Sequence, residues 1–364
     1  MGADGAPVTA QQVYLVSRHL PEPQGTASGR ALYAAATGLL EAGCVVDVLS
    51  WGPEEPRGTL PAWARWEPLP TEPAWRTRGR ALVRPRADTA VLAGRLDLPA
   101  HAIAVADQPV SLAALDGHAR SVVTVDYAPA LDLRAAGRLS PRALQDLRAH
   151  ARVRHAAAVT AYSERVARTL GRRARPLPLP LLIPAVALEI VNEPVAALLA
   201  DWRWPPNRRA LATLLAAWPQ VRTLVPGARL LLAGRGDIGI GTLAGVEVLG
   251  EVSDSAEVLG RAAVLAFPVP PSSGPKVKVL EALAAGLPVL TTSAGLEGLA
   301  VPAGAATVPA PGQFATALAL LLADPERRAA QARLGRAAVA VTHAPLPAAR
   351  TRLAVYAELL TTAG

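Results

Sequence analysis

The sequence has little of three things: it contains one cysteine, Cys44, only two lysines, and few aromatic residues, which make up 4% of the chain. A single cysteine excludes a disulfide framework and a zinc site built from cysteines, and it is compatible with a reducing compartment. Apolar runs are short as well, since none approaches the roughly 18 residues of a membrane-spanning helix. The first nine residues lack the basic patch and apolar stretch of a signal peptide, so we expect a cytoplasmic protein.

What the chain does contain is typical of a folded protein of about two domains. Hydrophobic residues make up 51% of its 364 residues and charged residues 18%, which is too apolar for a disordered chain. Between Arg134 and Arg175 lie 11 arginines and two acidic residues. Such a run is ordinarily a solvated helical face, and the alternative is contact with the anionic inner face of a membrane or with an acidic acceptor. We expect no nucleic-acid partner, because the chain has no recognised nucleic-acid module.

The two lysines, Lys276 and Lys278, lie within three residues of each other in a chain that has 37 basic residues. A genome rich in G and C would explain the excess of arginine, but it does not explain why both lysines occupy one segment. This segment is therefore a candidate for a site where a compact ammonium group is required, because the planar guanidinium of arginine is not its equivalent.

Short aliphatic runs alternate with longer stretches rich in Ala, Leu and Arg along the whole chain. The aliphatic runs are nearly continuous in apolar character, which is typical of parallel strands buried on both faces, so we predict α/β domains. The predicted strands are 13–17, 45–50, 102–106, 122–126, 158–161, 195–199, 228–233, 245–249, 263–267 and 288–292. The predicted helices are 29–41, 141–155, 164–170, 207–218, 255–261, 277–285, 312–322, 325–342 and 346–360.

Two segments interrupt this alternation. Proline occupies positions 176, 178, 180 and 184 of the segment Arg175 to Pro184. Proline cannot continue a helix or lie in a central strand, so we predict an extended connection between two domains of about 180 residues each. Residues 50–86 are rich in Pro, Trp and Arg and are predicted to be irregular surface.

One stretch in the second half has the pattern of a strand, a loop of Pro, Ser and Gly residues, and a helix. The free backbone N–H groups at such a loop-to-helix junction, together with the positive end of the helix dipole, form a ready anion site. Ser273 and Gly274 allow a ligand to approach closely, while Lys276 and Lys278 add positive charge. The junction therefore predicts an anionic ligand.

Glu281 lies three residues after Lys278 and hence on the same helix face. A carboxylate there would repel a phosphate, but it can accept hydrogen bonds from the neutral hydroxyls of a ribose. The constellation therefore predicts a nucleoside diphosphate with its ribose nearby. The alternative is an ordinary surface ion pair between Lys278 and Glu281.

The sequence SSGPKVKVLEALAAGLPVLTTSAGLEGL, residues 272–299, resembles the donor-site signature of family-4 glycosyltransferases. That signature has two glutamates separated by seven residues, the second of which opens the pattern EAxAxGxPV. The stretch from Glu281 to Val289 matches this second half. The position of the first glutamate, which in the family addresses the hydroxyls of the sugar, falls on Ser273. One branch of the family instead carries Gly-Ser-Gly followed by a basic, aliphatic, Lys pattern, which Ser273 to Lys278 resembles.

The resemblance extends over most of the chain and implies the GT-B fold, in which two Rossmann-like domains face each other across a cleft. It implies an N-terminal acceptor domain, 1–180, to which a final helix, 345–364, returns, and a donor domain, 185–344. The implied enzyme moves a sugar, with retention of anomeric configuration, from a UDP- or GDP-type sugar to a glycan, a lipid-linked acceptor or a small molecule. The resemblance implies no essential metal and no cofactor besides this co-substrate.

The same resemblance assigns residues to the parts of the donor. It places Ser273, Gly274, Lys276 and Lys278 at the diphosphate and Glu281 at the ribose. Arg203 lies in the segment that opens the second domain, where relatives place basic residues against the diphosphate, whereas Asn207 stands near the position of an expected lysine. The strand and glycine turn under the nucleoside base correspond to a segment that includes Gly234 and Arg235.

Further candidates lie in the first half of the chain. Asp126 and Tyr127 follow a predicted buried strand, where the family often has a residue facing the acceptor sugar, so they are the candidate catalytic residues. Asp107 follows the preceding strand in the same way. A strand-end Asp is also a common turn former, and a glycine loop after a strand is commonly just a turn. Four residues belong to the loop and helix start that resemble the family's glycine-rich loop: His19, Gly25, Ser28 and Gly29.

Three other classes of protein are weighed against this one. A sugar-nucleotide epimerase of the same fold, or a catalytically silent nucleotide-sugar-binding protein, is the main alternative because the first glutamate is missing. An oxidoreductase on Rossmann domains would need a GxGxxG turn after the first strand, and Gly25 and Gly29 do not give that spacing. A basic scaffold protein is disfavoured by the concentrated donor motif. No histidine spacing predicts a metal site.

Overall fold

The computed structural model describes residues 10–52, 55–56, 58–68, 96–136, 141–189, 191–252 and 254–361. These residues form two compact units. The first unit runs to Leu182 and resumes at His343, and the second unit comprises Ile183–Thr342.

The first unit contains a sheet of seven parallel strands in the order β3-β2-β1-β4-β5-β6-β7. The inner strands β4 and β5 are buried along their whole length, which explains their continuous apolar sequence. The strands are β1 Gln12–Ser17, β2 Val45–Gly52, β3 Ala64–Pro68, β4 Ile103–Ala106, β5 Ser121–Val125, β6 Ala158–Ala161 and β7 Arg175–Pro176.

Helices connect β1 to β2, β5 to β6 and β6 to β7, as is usual between parallel strands. Thr26 caps the first of them by accepting a hydrogen bond from the Gly29 backbone N–H, 3.1 Å away. The helices are α1 Ala27–Glu41, α2 Pro129–Ala136, α3 Pro141–Arg152 and α4 Glu164–Leu170, with 3-10 turns at Pro109–Leu115 and Val153–His155.

The two interrupting segments are more ordered than the sequence predicts. Part of the segment predicted as irregular surface forms β3, which pairs with β2 at the sheet edge, while 69–95 lie outside the described residues. The proline-rich segment begins as edge strand β7, where proline is tolerated. Its alternate residues Leu177, Leu179 and Leu181 are buried in the first unit, so this part of the segment belongs to a core and not to a linker alone.

The second unit has five parallel strands in the order β10-β9-β8-β11-β12. The strands are β8 Val195–Leu199, β9 Arg229–Ala233, β10 Val246–Gly250, β11 Val264–Phe267 and β12 Val289–Thr291. Its helices are α5 Pro205–Leu224, α6 Ser255–Leu259, α7 Val277–Ala285, α8 Phe314–Ala323 and α9 Pro325–His343, with a 3-10 turn at Ser293–Leu296. Helix α5 continues through Pro219 for five further residues, whereas the sequence predicts its end at Trp218.

The final helix, α10 Pro345–Thr361, belongs to the first unit. It packs on α1, as the resemblance implied, and the approach is close because Gly38 has no side chain: a Cβ atom there would lie 2.0 Å from the Pro345 carbonyl oxygen. The buried guanidinium of Arg352 donates hydrogen bonds to the hydroxyls of Tyr356, at 3.0 Å, and Tyr162, at 3.2 Å.

Both sheets have a point where the strand order reverses. In the first unit this point lies between β1 and β4, and in the second between β8 and β11. The loops that leave two such strands diverge to opposite sides of the sheet, and ligands of open α/β sheets bind outside the carboxyl ends of the strands there. We therefore expect ligand sites in the loops that follow β1, β4, β8 and β11.

Candidate functional site

The switch point of the second unit brings together two loops and two helix starts. Residues 200–204 lead from β8 to α5, and residues 268–276 lead from β11 to α7. We call this group, with the first turns of α5 and α7, the switch-point site. Helix α7 presents backbone N–H groups and a partial positive charge at its start. Helix α5 begins with Pro205 and Pro206, which have no N–H, and adds only its partial positive charge, so the site favours an anion.

Lys278 joins the two helix starts. Its Nζ donates a hydrogen bond to Oδ1 of Asn207 in the first turn of α5, at 2.9 Å, and lies 4.3 Å from the ring centroid of Phe267. Asn207 is itself buried and held by a bond from its Nδ2 to the Asp201 carbonyl oxygen, at 2.8 Å. The ammonium group is therefore fixed between the helices, and the asparagine found in place of an expected lysine is its anchor.

Burial lowers the pKa of Lys278 to about 7, although part of the side chain is accessible. The negative charges of Glu281 and Asp201 oppose this shift, while the positive charge of Lys276 adds to it. Glu281 lies one turn further along α7, as predicted, and is partly buried. A lysine so poised gains a proton readily when an anion arrives beside it.

Lys276 has a different environment. Its side chain is buried, and its Nζ donates hydrogen bonds to the carbonyl oxygens of Ser273, at 3.2 Å, and Gly274. The ammonium is thus engaged in holding the loop, and these contacts give its predicted role at a diphosphate no support. The sequence could not distinguish the two lysines, because their difference lies in which way each side chain turns.

Ser273 and Gly274 form the turn that Lys276 holds. Ser273 is buried, and Gly274 has a φ of +76°, a left-handed conformation that favours glycine. The Gly274 N–H donates a hydrogen bond to Oε1 of Glu297, at 3.0 Å. Sequence reasoning did not single out Glu297. Its position shortly after the predicted strand that becomes β12 could have indicated it, because residues that follow parallel strands lie at the same edge of the sheet.

Arg203 lies on the loop after β8 but is tied to its neighbour. Its Nε and Nη2 donate to the two carboxylate oxygens of Asp201, at 2.9 and 2.6 Å. These hydrogen bonds lower the pKa of Asp201. A diphosphate would therefore have to compete with this carboxylate for Arg203, which remains an exposed candidate at the border of the switch-point site.

Gly234 and Arg235 follow β9 and contact the same loop. Gly234 has a φ of +133°, and a Cβ atom there would lie 1.8 Å from the Ala200 carbonyl oxygen, so only glycine fits. The Arg235 carbonyl accepts a bond from the Trp202 N–H, at 2.8 Å, while its guanidinium pairs with Glu251, at 2.9 Å. The structure thus places both residues beside the switch-point site.

The loop after β1 lies at the switch point of the first unit. The space that a Cβ atom of Gly29 would need is filled by the Leu20 carbonyl oxygen, at 2.4 Å, and that of Gly25 by the Glu22 side chain. Both glycines therefore let the loop fold on itself and on α1. The His19 N–H donates to the Ser17 hydroxyl, at 3.0 Å, and Ser28 lies in the first turn of α1.

Two carboxyl groups follow β4 and β5 near this switch point. Asp107 accepts a hydrogen bond from the Ser17 hydroxyl, at 2.9 Å, and Asp126 accepts one from Nε2 of Gln108, at 2.6 Å. Burial, with the charge of Asp107, raises the pKa of Asp126 to about 8, and burial also raises the pKa of Asp107. The positive charge of Arg352 on α10 opposes both shifts. Sequence reasoning missed this influence of the final helix, because Arg352 is remote from both carboxyl groups in the chain.

Tyr127 contacts α3 through both its backbone and its ring. Its carbonyl oxygen accepts a hydrogen bond from Nε2 of His150, at 2.7 Å, and the two rings lie 5.9 Å apart. The structure therefore places the candidate catalytic residues Asp126 and Tyr127 at the end of β5, one beside Gln108 and the other beside His150.

The raised pKa of Asp126 predicts how stability depends on pH. A group with a raised pKa binds more protons folded than unfolded, so its contribution is complete below pH 4 and is lost as pH rises through about 8. We expect Asp126→Asn, which imitates the protonated form, to remove a slope of up to about 1.4 kcal/mol per pH unit in that window. Thermal unfolding from pH 4 to 9 measures it, with exposed Asp97→Asn as the control. An unchanged slope in Asp126→Asn would contradict the prediction.

Two further observations concern metals and membranes. Within the described residues, no group of three or more His, Cys, Asp or Glu side chains is placed to hold a metal ion. Among the described helices, none is both long and apolar enough to cross a bilayer.

The arginine-rich segment Arg134 to Arg175 is only partly described, since 137–140 lie outside the described residues. Exposed arginines in the described part include Arg148 and Arg154. Three others pair with acids: Arg152 with Asp116, Arg168 with Glu164 and Arg175 with Glu358, at 2.7–2.9 Å. Contact of this segment with a membrane stays a prediction.

Comparison with known proteins finds a family model, described as "Glycosyl transferases group 1", that matches residues 193–324. The match covers little more than a third of the chain and contains the whole switch-point site. No curated protein is similar enough in sequence to match the chain.

Solved structures match over nearly the whole chain. TarM superposes with a TM-score of 0.76 at 8% identity, covering 96% of this chain and 99% of TarM. Sucrose-phosphate synthase from Thermosynechococcus elongatus gives 0.72 at 17% identity, covering 97% of this chain and all of the other. HepE from Anabaena, in complex with UDP-glucose, gives 0.65 at 15% identity, covering 96% and 99%. At such identities the likeness shows the fold alone, and it confirms that the chain has the GT-B fold.

Proposed function

We propose that the protein is a glycosyltransferase that moves a sugar from a nucleotide-diphosphate sugar to an acceptor with retention of anomeric configuration. The observation that carries this proposal is the position of Lys278, hydrogen-bonded to Asn207 where two helix starts meet at the switch point of the sheet. The segment that holds both residues is the one that matches the glycosyltransferase family. HepE, which has the same fold, binds UDP-glucose.

Transfer of the sugar requires positive charge beside the diphosphate that leaves. When the sugar–phosphate bond breaks, negative charge develops on the leaving phosphate while the sugar takes on oxocarbenium character. Lys278, the N–H groups at the start of α7 and the positive end of the α5 dipole can stabilise that charge without reorganising, and such preorganised groups are usually the largest contribution to catalysis. Glu281 is proposed to accept hydrogen bonds from the ribose, with Gly234 and Arg235 beside the base.

The first unit is proposed to hold the acceptor. Asp126 and Asp107, with His19 nearby, supply acceptors and donors for sugar hydroxyls at the ends of parallel strands. The buried carboxyl of Asp126, with its raised pKa, can donate a hydrogen bond as well as accept one at neutral pH. Because the positive charge at the diphosphate comes from the chain itself, we expect EDTA to leave transfer unchanged.

The proposal is tested by a thermal-shift screen of the protein with UDP-glucose, UDP-N-acetylglucosamine, GDP-mannose and their nucleoside diphosphates. We expect at least one nucleotide sugar to raise the unfolding midpoint, since a ligand at 100 times its Kd stabilises the folded state by about 2.7 kcal/mol. Absence of a shift with all of them would count against the proposal.

A second function is kept because Ser273 stands where the resembling signature has its first glutamate. A sugar-nucleotide epimerase, or a protein that only binds nucleotide sugars, would also give a thermal shift. Incubating the protein with the donor that binds, and with candidate glycan, lipid and small-molecule acceptors, separates these functions: transfer yields a glycosylated acceptor, epimerisation an isomeric donor, and silent binding neither.

A further inference from the structure

Glu297 is held against the loop that leads into α7. Its Oε1 accepts a hydrogen bond from the Gly274 backbone N–H, at 3.0 Å. The segment that carries it is also bonded to the end of β11, by the Thr291 hydroxyl on the Phe267 carbonyl, at 2.7 Å, and to the loop itself, by the Thr292 hydroxyl on the Val269 carbonyl, at 2.8 Å. One hydrogen bond therefore holds the carboxylate itself at the border of the switch-point site, and two more hold the chain shortly before it.

This position matters because of the residue next to it. Ser273 precedes Gly274 directly and occupies the place of the glutamate that the donor signature lacks in this chain. A residue 23 positions away in sequence therefore returns a carboxylate to the neighbourhood of that place. Glu297 lies inside the stretch that resembles the donor signature, but it follows a different strand, β12, and its spacing in the sequence does not show that it reaches Gly274.

A carboxylate at this point suits one part of the donor better than the other. Phosphates would be repelled by it, and the cationic Lys278 lies on α7 to receive them. The hydroxyls of the transferred sugar are neutral and need acceptors, and hydrogen bonds to a charged acceptor are stronger than those to a neutral one. We propose that Glu297 binds hydroxyl groups of the transferred sugar and so contributes to the choice of donor sugar.

This inference rests on the proposed function, and it has one structural rival. Gly274 is braced on both sides, by Glu297 at its N–H and by Lys276 at its carbonyl oxygen, so Glu297 could serve the loop alone. A brace affects the binding of every donor fragment. A sugar-binding group affects only donors that carry the sugar.

Titration calorimetry separates these roles. Wild type, Glu297→Gln and Glu297→Ala are titrated with UDP and UDP-glucose, or with GDP and GDP-mannose if the wild type prefers guanine. Glutamine keeps an oxygen that can accept the Gly274 N–H but lacks the charge. We expect Glu297→Gln to bind the nucleoside diphosphate within about twofold of wild type and the nucleotide sugar about 10- to 100-fold more weakly. Glu297→Ala also removes the acceptor of the Gly274 N–H, so we expect it to weaken both ligands, the nucleotide sugar more than the nucleoside diphosphate. Glu326→Gln, on the exposed first turn of α9, is the matched control and is expected to change neither affinity.

The outcomes are distinct. Equal weakening of nucleoside diphosphate and nucleotide sugar identifies a loop brace and overturns the inference, as does unchanged binding of both, while the proposed function stands in either case. If the wild type binds none of the four ligands, the proposed function is wrong and the inference falls with it. A donor analogue that lacks one sugar hydroxyl adds a second readout. The wild type should bind this analogue more weakly than the full donor, whereas Glu297→Ala should bind the analogue and the full donor with equal affinity.

Discussion

Replacing Lys278 with methionine is expected to lower sugar transfer about 100- to 1,000-fold, the loss that follows when one preorganised charge-stabilising donor is removed. Methionine retains the apolar length of the side chain beside Phe267 but cannot stabilise a departing diphosphate. The nucleoside diphosphate should bind more weakly as well. Turnover with a saturating donor and acceptor, together with calorimetric affinity for the diphosphate, measures both effects.

The same variant should be more stable than the wild type, which separates lost function from lost folding. The folded pKa of Lys278, about 7, lies below the ordinary value, so the unfolded chain binds more protons from about pH 7 to 10. The wild-type protein therefore loses stability as pH falls from about 10 to 7, and the full cost of charging the buried amine is present below pH 7. Lys278→Met removes this loss, and a rise in unfolding midpoint at pH 6 is the expected sign.

Lys278→Arg tests whether this position requires lysine in a chain whose only lysines are Lys276 and Lys278. The guanidinium is larger and planar and cannot occupy the ammonium position between Asn207 and Phe267 without displacing them. We expect it to damage activity more than any exchange of a surface arginine for lysine, such as Arg333→Lys on the exposed face of α9. Normal turnover of Lys278→Arg would contradict the assigned role.

The dependence on pH should differ in the same comparison. Lysine is charged only below its pKa, so donor affinity of the wild type is expected to fall as pH rises from about 7 to 9, with proton uptake on binding. Arginine stays charged throughout this range, so whatever affinity Lys278→Arg keeps should be flat. Calorimetry in buffers of different ionisation enthalpy measures the proton uptake.

Gly38→Val is expected to lower the free energy of unfolding of the first unit by about 3 kcal/mol. A Cβ atom at position 38 would lie 2.0 Å from the carbonyl oxygen and 2.4 Å from the carbonyl carbon of Pro345, and these backbone atoms cannot turn aside as a side chain would. Helix α10 must then move off α1 and loosen the buried contacts of Tyr356. The unfolding midpoint should fall by about 6–12 °C.

A matched control is available in the second unit. Gly241 has no atom within 4 Å of the place where a Cβ would lie, so Gly241→Val should leave the midpoint within about 1 °C of wild type. Limited proteolysis should also release the α10 segment faster from Gly38→Val. A wild-type midpoint and wild-type proteolysis would show that α10 does not depend on this close approach.

Local pattern predicted most of the fold, because the period and length of apolar runs are local properties. It missed the two edge strands, which need not be continuously apolar. Strand β3 is half-exposed and has a polar sequence, and β7 consists of an arginine and a proline. It ended α5 too early, since Pro219 lies within the helix and the helix continues. Each error concerns a position where tertiary packing overrides a local preference.

The candidate site was predictable to the extent that it lies in one continuous motif. The loop, Lys278 and Glu281 were found because they are neighbours in sequence. Their partners are remote: Asn207 lies 71 positions from Lys278, and Glu297 lies 23 from Gly274. Arg352 meets Tyr162 across 190 positions. Spacing says nothing about such pairs, because only the folded backbone brings them together.

The discontinuous first unit imposes an order on biogenesis. Every residue of the second unit, Ile183–Thr342, leaves the ribosome before α10 does, so this unit can fold while the first still lacks its last helix. Until α10 arrives, Tyr162 has no guanidinium beside it, and the carboxyl groups of Asp107 and Asp126 lack the opposing charge of Arg352. The nascent protein can therefore assemble the switch-point site early, while the carboxyl groups of the first unit acquire their final electrostatics only when α10 has been made.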